Sequence, residues 1–301
     1  MKLDRKKSVM LRRSALLAAA SALLMFGLHA FPASAEPIKD RVLKEGSITI
    51  GIANNAPWGF LGADQDVTGI QPDTVKAVLG PMGLKKVDFV VLDWGALIPS
   101  LLSNKIDAIV SGMAITPQRC EQVIFSNPDI AVGDAILVSK GNPKNIHSYE
   151  DIEKNPALRL GGSRGSTNSE NAIKAGIPKD RMQLFQDDQS AFAALLAGRI
   201  DAYTLTSPSV INALKDPSLK ERLDRAVPFT GYVQNGKEFA NYAAVVFRPE
   251  DGGLRDLYNE SLAERKQDGA LAKLAEKYGF SATEIASPDV TAKSLCGDKY
   301  R

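Results

Sequence analysis

The sequence predicts an α/β protein with two lobes of similar design, each built on a mostly parallel sheet. Short runs of β-forming residues alternate with segments of helical periodicity, which is typical of parallel strands joined by crossover helices. The same alternation starts again near residue 158. Residues 101–108 and 195–202 are also identical at five of eight positions, and both lead from a helix through a polar turn to an Asp-Ala pair. Such a repeated unit favours two sheets over one, with convergence of a short segment as the alternative.

The first half of the chain is expected to form three strands separated by two helices. Its strand segments are rich in branched apolar residues, and its helical segments place apolar residues three and four positions apart. The strands are predicted over 47–53, 87–92 and 107–110, and the helices over 72–82 and 96–103.

The second half repeats this order and then returns to the first lobe. Its strands are predicted over 158–161, 182–185 and 201–205, and its helices over 168–175 and 190–197. Two further extended segments, 134–140 and 242–247, bracket this unit and are the expected crossings between the lobes. Helices over 254–266 and 270–278 should pack on the first lobe. We therefore assign lobe 1 to 36–135 and 245–301, and lobe 2 to 136–244.

The first 35 residues are predicted to be a secretory signal peptide. Six basic residues precede an apolar stretch over 15–28, and the small-residue site Ala33-Ser34-Ala35 follows. A basic segment, a short apolar segment and an A-x-A site are the three parts of such a peptide. We expect cleavage after Ala35 and a periplasmic protein, with an uncleaved anchor as the alternative.

The charge balance argues against a nucleic-acid partner. The chain has 37 basic and 35 acidic residues, and removal of the six basic and one acidic residues of 1–35 leaves 31 and 34. The remaining chain is mildly acidic and offers no basic surplus for phosphates. No later run approaches the length of a membrane span, so we expect a protein that is not membrane-embedded after cleavage. We also expect it to be a monomer.

Two cysteines, Cys120 and Cys296, remain after removal of the signal peptide. An even number of cysteines in an oxidising compartment predicts a disulfide, which would tie the end of the chain to its middle. Two free buried thiols are the alternative.

The sequence offers no positive case for a catalytic or metal site. Residues 161–165 fit the pattern G-x-S-x-G around Ser163, but the triad of that pattern needs a later histidine, and His147 precedes the serine. After removal of residues 1–35, one histidine and two cysteines leave no metal-ligand spacing. We therefore expect a non-enzymatic protein without catalytic residues, metal or cofactor.

The loop around Ser163, Arg164 and Gly165 is a candidate for binding an anion or polar ligand. A strand that leads through Gly and Ser into a helix presents free backbone N–H groups, and Arg164 adds a cation. A plain helix-capping loop is the alternative.

Arg119 is a second candidate, because Thr116 and Pro117 predict a helix start that places this cation in the first turn. A cation there opposes the helix dipole, and such local conflicts tend to mark function, here a fork for a carboxylate. Trp58 and Trp94 each follow a predicted strand, where ligands bind in α/β sheets and where π-faces suit a cation. A solvated arginine and two core tryptophans are the alternatives.

Three stretches together resemble the family 3 extracellular solute-binding proteins of ABC importers. They are 94–107, 111–126 with Thr116-Pro117-Gln118-Arg119 and Phe125-Ser126, and 198–202. The resemblance extends over 40–296 and implies a bilobal periplasmic binding protein of type II, with two mostly parallel sheets joined by two hinge strands. It also implies hinge closure on a small molecule and docking onto an ABC transporter permease, as in amino acid transport.

The resemblance assigns roles to the candidate residues. The family's arginine at Arg119 holds a ligand carboxylate, and aromatic residues at Trp58 and Trp94 pack on the ligand. Backbone groups near Ser111 and Gly112 add hydrogen bonds, and the loop of Ser163, Arg164 and Gly165 contributes from the second lobe.

Departures from the family pattern concern the ligand. Amino-acid binders usually carry an Asp where this chain has Thr206, which disfavours a simple α-amino acid. Segments 115–120, 140–144 and 147–151 and the late Cys296 resemble the ectoine- and hydroxyectoine-binding branch, but an acidic residue of that branch is Asn55 here and an aromatic one is Ala114. We expect a small zwitterion or carboxylate, with ectoine and hydroxyectoine first and an opine or polar amino acid as alternatives. An exported dehydratase-like enzyme on the same fold and a ligand-sensing module remain open.

Overall fold

The computed structural model of this protein describes residues 38–301, and the predicted signal peptide over 1–35 lies outside these residues. The helices are α1 (Ile38–Lys44), α2 (Ile70–Leu79), α3 (Leu97–Leu102), α4 (Pro117–Cys120), α5 (Tyr149–Lys154), α6 (Thr167–Lys174), α7 (Asp188–Leu196), α8 (Ser207–Ala213), α9 (Pro217–Lys220), α10 (Gly252–Gln267), α11 (Ala270–Lys277) and α12 (Ala292–Cys296). The strands are β1 (Ser47–Ile52), β2 (Phe60–Leu61), β3 (Val67–Thr68), β4 (Lys86–Val91), β5 (Ala108–Ile109), β6 (Ile124–Phe125), β7 (Ile130–Val132), β8 (Asp134–Ser139), β9 (Leu160–Ser163), β10 (Met182–Phe185), β11 (Ala202–Thr206), β12 (Leu223–Arg225), β13 (Val233–Gln234), β14 (Lys237–Glu238), β15 (Asn241–Ala243) and β16 (Val246–Phe247).

The first lobe is built on a five-stranded sheet in the order β4-β1-β5-β16-β6. Strand β1 is parallel to β4, with Ser47 opposite Lys86, and also to β5, whereas β16 is antiparallel to β5 and β6. Apolar side chains of β1 pack against α2 and α10, including Ile50, Val78 and Leu254. The opposite face is covered by α3, α4 and α12.

The second lobe has the same design, with the strand order β10-β9-β11-β8-β12. Here β9 is parallel to β10 and β11, and β8 is antiparallel to β11 and β12. Helices α5 and α6 pack on one face and α7 and α8 on the other. The predicted α/β fold with two mostly parallel sheets is therefore confirmed.

The repeated unit noticed in the sequence is also repeated in space. Asn104 and Gly198 occupy the same place in the two turns, and both have a positive φ, of 60° and 67°. The carboxylates of Asp107 and Asp201 each accept a hydrogen bond from a backbone N–H, that of Thr49 in β1 and that of Arg159 just before β9, at 2.8 Å in both lobes. Since equivalent side chains make equivalent bonds, the eight-residue match reflects a common structural unit.

That unit also explains one glycine in each sheet. A Cβ on Gly51 would lie 2.4 Å from Cδ1 of Ile106, and a Cβ on Gly161 would lie 2.4 Å from Cδ1 of Ile200. The isoleucine of each unit thus packs directly over the neighbouring strand, where only glycine leaves room for it.

The crossings between the lobes differ in part from the prediction. The predicted segment 134–140 is β8, which is almost wholly buried inside the second sheet. The antiparallel pair of β7 and β15 crosses instead, with Asn241 opposite Val132. Strand β8 is apolar on both faces, and a strand of that kind is stable between two neighbours rather than in an exposed connection. The proposed limits of the lobes, 36–135 with 245–301 and 136–244, stay a prediction.

Cys120 and Cys296 form a disulfide, so that prediction is confirmed. The bond joins α4 to α12, and the side chain of Arg301 adds hydrogen bonds to the carbonyl oxygens of Cys120 and Glu121. Among residues 38–301, none of the helices combines the length and apolar character that a membrane span requires.

Candidate functional site

A cavity of about 590 Å³ lies between the two lobes and is lined by residues from both. Its walls come largely from the segments that follow β1 and β4 in the first lobe and β9, β10 and β11 in the second. These are the carboxyl ends of strands that run parallel within each sheet, the place where open α/β sheets bind ligands. Of the predicted site residues, seven line this cavity: Asn55, Trp58, Trp94, Gly112, Ala114, Ser163 and Thr206.

The two tryptophans both connect the lobes through their indole nitrogens. Trp58 is 2% exposed, its ring packs edge-on against Phe280 at 5.2 Å, and its Nε1 donates at 3.3 Å to the hydroxyls of Thr206 and Ser209. Trp94 is half-buried, and its Nε1 donates to the carbonyl oxygen of Gly165 at 3.2 Å. Each tryptophan therefore forms part of the cavity wall and also makes a hydrogen bond to the opposite lobe.

Arg119 lies beside the cavity rather than on its wall. Thr116 caps α4 by accepting a hydrogen bond from the N–H of Arg119 at 3.3 Å, as the sequence predicts. The guanidinium is buried, and burial lowers the pKa of Arg119, an effect that the charge of Glu170 opposes.

The three hydrogen bonds of that guanidinium all go to oxygen atoms of the protein. Nη1 donates to the carbonyl oxygen of Ala114 at 2.7 Å and to Oγ1 of Thr167 at 3.3 Å, and Nη2 donates to the carbonyl oxygen of Gly165 at 2.9 Å. The last two acceptors belong to the second lobe, so Arg119 is a cationic bridge across the cleft. Its guanidinium carbon also lies 5.9 Å from the ring centre of Trp94.

Asn55 and Gly112 have some of their hydrogen-bonding capacity occupied within the first lobe. The Ser111 hydroxyl donates to Oδ1 of Asn55 at 2.6 Å, and Nδ2 of Asn55 donates to the carbonyl oxygen of Ser111 at 3.2 Å. The N–H of Gly112 donates to Oε1 of Gln71 at 2.6 Å, so the single donor of that backbone group is engaged internally. Ser111 is buried and does not line the cavity, and Ala114 is buried at its wall.

The residues of the second-lobe loop over 163–165 lie partly at the cavity wall and partly at the protein surface. Ser163 lines the cavity, whereas the side chain of Arg164 is exposed and Arg164 and Gly165 are not on the cavity wall. Three residues that follow, Ser166, Thr167 and Asn168, do line it. They begin α6, where backbone N–H groups lack partners within the helix, and the Ser-Thr-Asn order at a predicted helix start could have identified them.

Asp188 is a cavity residue that the sequence reasoning missed. It is the first residue of α7, it is half-buried, and its Oδ1 accepts a hydrogen bond from the hydroxyl of Tyr203 at 2.6 Å. Burial raises the pKa of Asp188 and the charge of Asp187 adds to this, while the hydrogen bonds from Tyr203 and Ser163 oppose it. Its position after strand β10 was a usable signal, because the same reasoning selected Trp94.

The charged residues on the cavity wall are all acidic: Asp93, Asp187, Asp188 and Asp216. Asp187 caps α7 by accepting from the N–H of Ser190, and Asp216 caps α9 by accepting from the N–H of Ser218. The cavity wall thus has a negative character, and the guanidinium of Arg119 lies beside it, bonded to the wall residues Ala114 and Thr167.

Within the part of the chain that the structure describes, Ser163 has no basic partner for nucleophilic chemistry. Its hydroxyl lies 2.7 Å from the Tyr203 hydroxyl, which in turn donates to Asp188. The His147 ring nitrogens instead lie at 3.0 and 3.1 Å from the Pro228 carbonyl and from Oδ1 of Asn145. The serine therefore lacks the base that the triad mechanism requires. Among residues 38–301, no group of three or more His, Cys, Asp or Glu is placed to hold a metal ion.

Comparison with known proteins identifies related sequences over most of the chain. Residues 48–281 match the family model of bacterial extracellular solute-binding proteins, family 3. A probable amino-acid ABC transporter periplasmic-binding protein of Sinorhizobium fredii, y4tE, is 34% identical over 95% of this chain and 93% of that protein. The L-cystine-binding protein TcyJ of Escherichia coli is 25% identical over 89% of this chain and 96% of that protein.

Two solved structures are similar in sequence and in fold. The crystal structure of EhuB in complex with hydroxyectoine superposes with a TM-score of 0.76 and 34% identity, over 86% of this chain and 97% of that one. The ancestral amino-acid-binding protein AncCDT-1, a precursor of cyclohexadienyl dehydratase, gives a TM-score of 0.68 and 30% identity, over 79% of this chain and 98% of that one.

Proposed function

Because this chain belongs to the family 3 bacterial extracellular solute-binding proteins, we propose that it captures a small zwitterionic solute and delivers it to the permease of an ABC transporter. Membership of the family implies a small-molecule ligand and a transporter partner. We further propose that the protein is exported to the periplasm by the signal peptide over 1–35 and acts there as a monomer.

The observation that carries this proposal is the bridge from Arg119 to the second lobe. Its guanidinium is buried beside the cavity and donates to Gly165 and Thr167 across the cleft. A ligand carboxylate can replace these oxygens as a charge-assisted acceptor, and charge-assisted bonds are roughly twice as strong as neutral ones. Binding would then be coupled to closure about β7 and β15, because the arginine and its acceptors are on opposite lobes.

Ectoine and hydroxyectoine are the first ligands to test, since the hydroxyectoine-binding protein EhuB is similar over nearly its whole length. The walls formed by Trp58 and Trp94 suit a delocalised cation. Compared with the pattern of the ectoine-binding branch, Asn55 replaces an acidic residue and Ala114 replaces an aromatic one. The site is therefore less acidic and more open at these two positions, and opines and polar amino acids belong in the same panel.

The test is isothermal titration of the exported protein with ectoine, hydroxyectoine, glycine betaine, octopine, L-arginine and L-cystine. We expect one of these to bind, and Arg119→Ala to weaken its binding by about 10- to 100-fold, the effect of one lost charged hydrogen bond. Arg199→Ala is the matched control, because this arginine is exposed in a turn away from the cavity. Binding that survives Arg119→Ala unchanged would refute the proposed role of the arginine.

A catalytic role is the second candidate, and Asp188 is the observation that favours it. A half-buried carboxyl with a raised pKa inside a cavity can act as a general acid. Incubation of the protein with the bound solute, followed by proton NMR, separates the two functions. An unchanged solute after many hours supports a binding protein, and a new product would establish an enzyme.

A further inference from the structure

Two hydroxyl groups and one carboxyl group form a hydrogen-bonded chain at the second-lobe side of the cavity. The hydroxyl of Tyr203 donates to Oδ1 of Asp188 at 2.6 Å, and the hydroxyl of Ser163 lies 2.7 Å from the same tyrosine oxygen. Tyr203 is fully buried between Phe185 and Phe192, so it holds Asp188 in one orientation.

Asp188 has no basic side chain as a partner among residues 38–301. The ion pairs of the described residues do not include it, and the groups that hydrogen-bond to it are the neutral hydroxyls of Tyr203 and Ser163. A carboxylate that is moved out of water is costly unless it is paired, and this one is half-buried at a cavity wall. A cationic group of a ligand bound in the cavity can supply the missing positive charge.

The other acidic residues of the wall do not offer an equivalent group. Asp187 and Asp216 are exposed and are used as helix caps. Asp93 is exposed and precedes the turn at Trp94. Asp188 alone among these four is half-buried and is oriented by a buried side chain.

Two neutral positions of the cavity strengthen the argument. Asn55 is held by Ser111, and the Thr206 hydroxyl is engaged with Trp58 and Ser209. Neither side chain carries a charge that could balance a cationic ligand. Among the four acidic residues of the wall, the one that is bonded to a fully buried side chain is therefore Asp188 on α7, in the second lobe.

We propose that Asp188, oriented by Tyr203, is the subsite that binds a cationic nitrogen of the solute. The solute class is then a carboxylate that also carries a guanidinium, amidinium or ammonium group, with the carboxylate at Arg119 and the cation at Asp188. Phe192, which also lines the cavity and packs against Tyr203, offers an aromatic surface beside the cation. This inference rests on the proposed binding function and adds the residue that selects the ligand charge.

The test compares pairs of compounds that differ in charge but hardly in shape. L-arginine is paired with L-citrulline, and γ-guanidinobutyrate, which lacks an α-ammonium group, is paired with γ-ureidobutyrate. We expect the protein to bind the member with the guanidinium group of at least one pair about 10- to 100-fold more tightly than the member with the urea group, the range of a charged hydrogen bond. Asp188→Asn should reduce this preference to about 2-fold or less while leaving the affinity for the member with the urea group nearly unchanged.

Two further variants make the result specific. Asn at position 188 keeps an oxygen that accepts from Tyr203, so Asp188→Asn is expected to fold, which circular dichroism can check. Asp180→Asn removes the same charge from an exposed site of the same lobe away from the cavity, and it should keep the full preference. Tyr203→Phe should lower the preference by a smaller factor, because it frees the carboxylate without removing it.

The outcomes separate this inference from the function on which it rests. An equal preference in Asp188→Asn and in the unmodified protein, no preference for the cation in either pair, or no binding of any of the four compounds would overturn the role of Asp188. None of these results affects the proposed binding function, which fails only if the protein binds no member of the earlier panel.

Discussion

Gly112 and Trp58 are in direct contact at the cavity wall, and the contact leaves no room for a Cβ atom. A Cβ built on Gly112 would lie 2.4 Å from Cδ2 and 2.7 Å from Cε3 of Trp58, and the φ of Gly112 is 74°. The indole is held in turn by Thr206 and Ser209 of the second lobe. The backbone of residue 112 therefore fixes the position of a side chain that joins the two lobes.

Gly112→Ala should lower both stability and ligand affinity. The extra methyl group displaces the indole, and overpacking of this kind costs about 1–3 kcal/mol, with a further cost for an alanine at positive φ. Gly95→Ala is the control, because a Cβ there meets no atom within 4 Å. Chemical denaturation and titration calorimetry would measure the two effects, and a Gly112→Ala variant as stable as the control would contradict the packing described here.

Reduction of the disulfide should destabilise the protein strongly. Cys120 and Cys296 are 176 residues apart in sequence, and in the chain-entropy model closure of such a loop contributes about 5 kcal/mol. Thermal unfolding with and without a phosphine reductant measures the loss of stability. The Cys120→Ser, Cys296→Ser double variant should melt at the temperature of the reduced protein and should not respond to the reductant. A reductant effect of the same size in that variant would show that the disulfide is not its cause.

Because of Asp129, the stability of the protein should depend on pH at values above those at which a carboxyl group usually titrates. Burial raises the pKa of Asp129 to about 7, although Gln71 donates to both of its oxygens and the charge of Lys266 lowers the pKa. The native state then binds a proton that the unfolded state releases near pH 4. The contribution of Asp129 is therefore fully present below about pH 4 and is lost as the pH rises to about 7, a change of about 4 kcal/mol.

Asp129→Asn should remove this slope, because asparagine does not titrate. The difference in the free energy of unfolding between the variant and the unmodified protein should grow in favour of the variant from pH 4 to pH 7 and then stay constant. Burial also raises the pKa of Asp134, to about 6. The effect of Asp134 on the free energy of unfolding is the same in both proteins, so it cancels when the two are subtracted. Asp180→Asn, at an exposed site, should show the original pH dependence. Parallel curves for Asp129→Asn and the unmodified protein would refute an ionisation of Asp129 near pH 7.

Local patterns predicted the elements and the cap at Thr116 well, because they depend on interactions between near neighbours in sequence. The strand over Met182–Phe185 lies where the sequence placed it, and the N-cap bond to Arg119 is present. The crossing at Ile130–Val132 was not predicted, since three apolar residues do not reveal which sheet they will join. Pairing with Asn241–Ala243, more than 100 residues later, decides that.

The candidate residues could be selected from the sequence by residue type and position, but the direction in which each side chain points could not be predicted. Arg164 was an attractive cation for the cavity, yet its side chain is exposed, while Asp188 was overlooked and lies at the wall. Both residues follow strands at the same edge of the second sheet, Arg164 directly after β9 and Asp188 at the start of α7 after β10. Which loop residue faces inward is set by backbone turns and by partners such as Tyr203, 15 residues away in sequence.

The sequence by itself determined the α/β class, the repeated helix-to-strand unit, the pairing of the two cysteines and the set of residues from which a binding site could be built. These follow from periodicity, capping and composition, which act over short distances along the chain. The tertiary structure alone decided which strands cross between the lobes, that Arg119 bonds to the opposite lobe, and that the cavity wall is acidic. The physical reason is that each of these depends on atoms brought together by folding from distant parts of the chain, as Arg119 and Gly165 are.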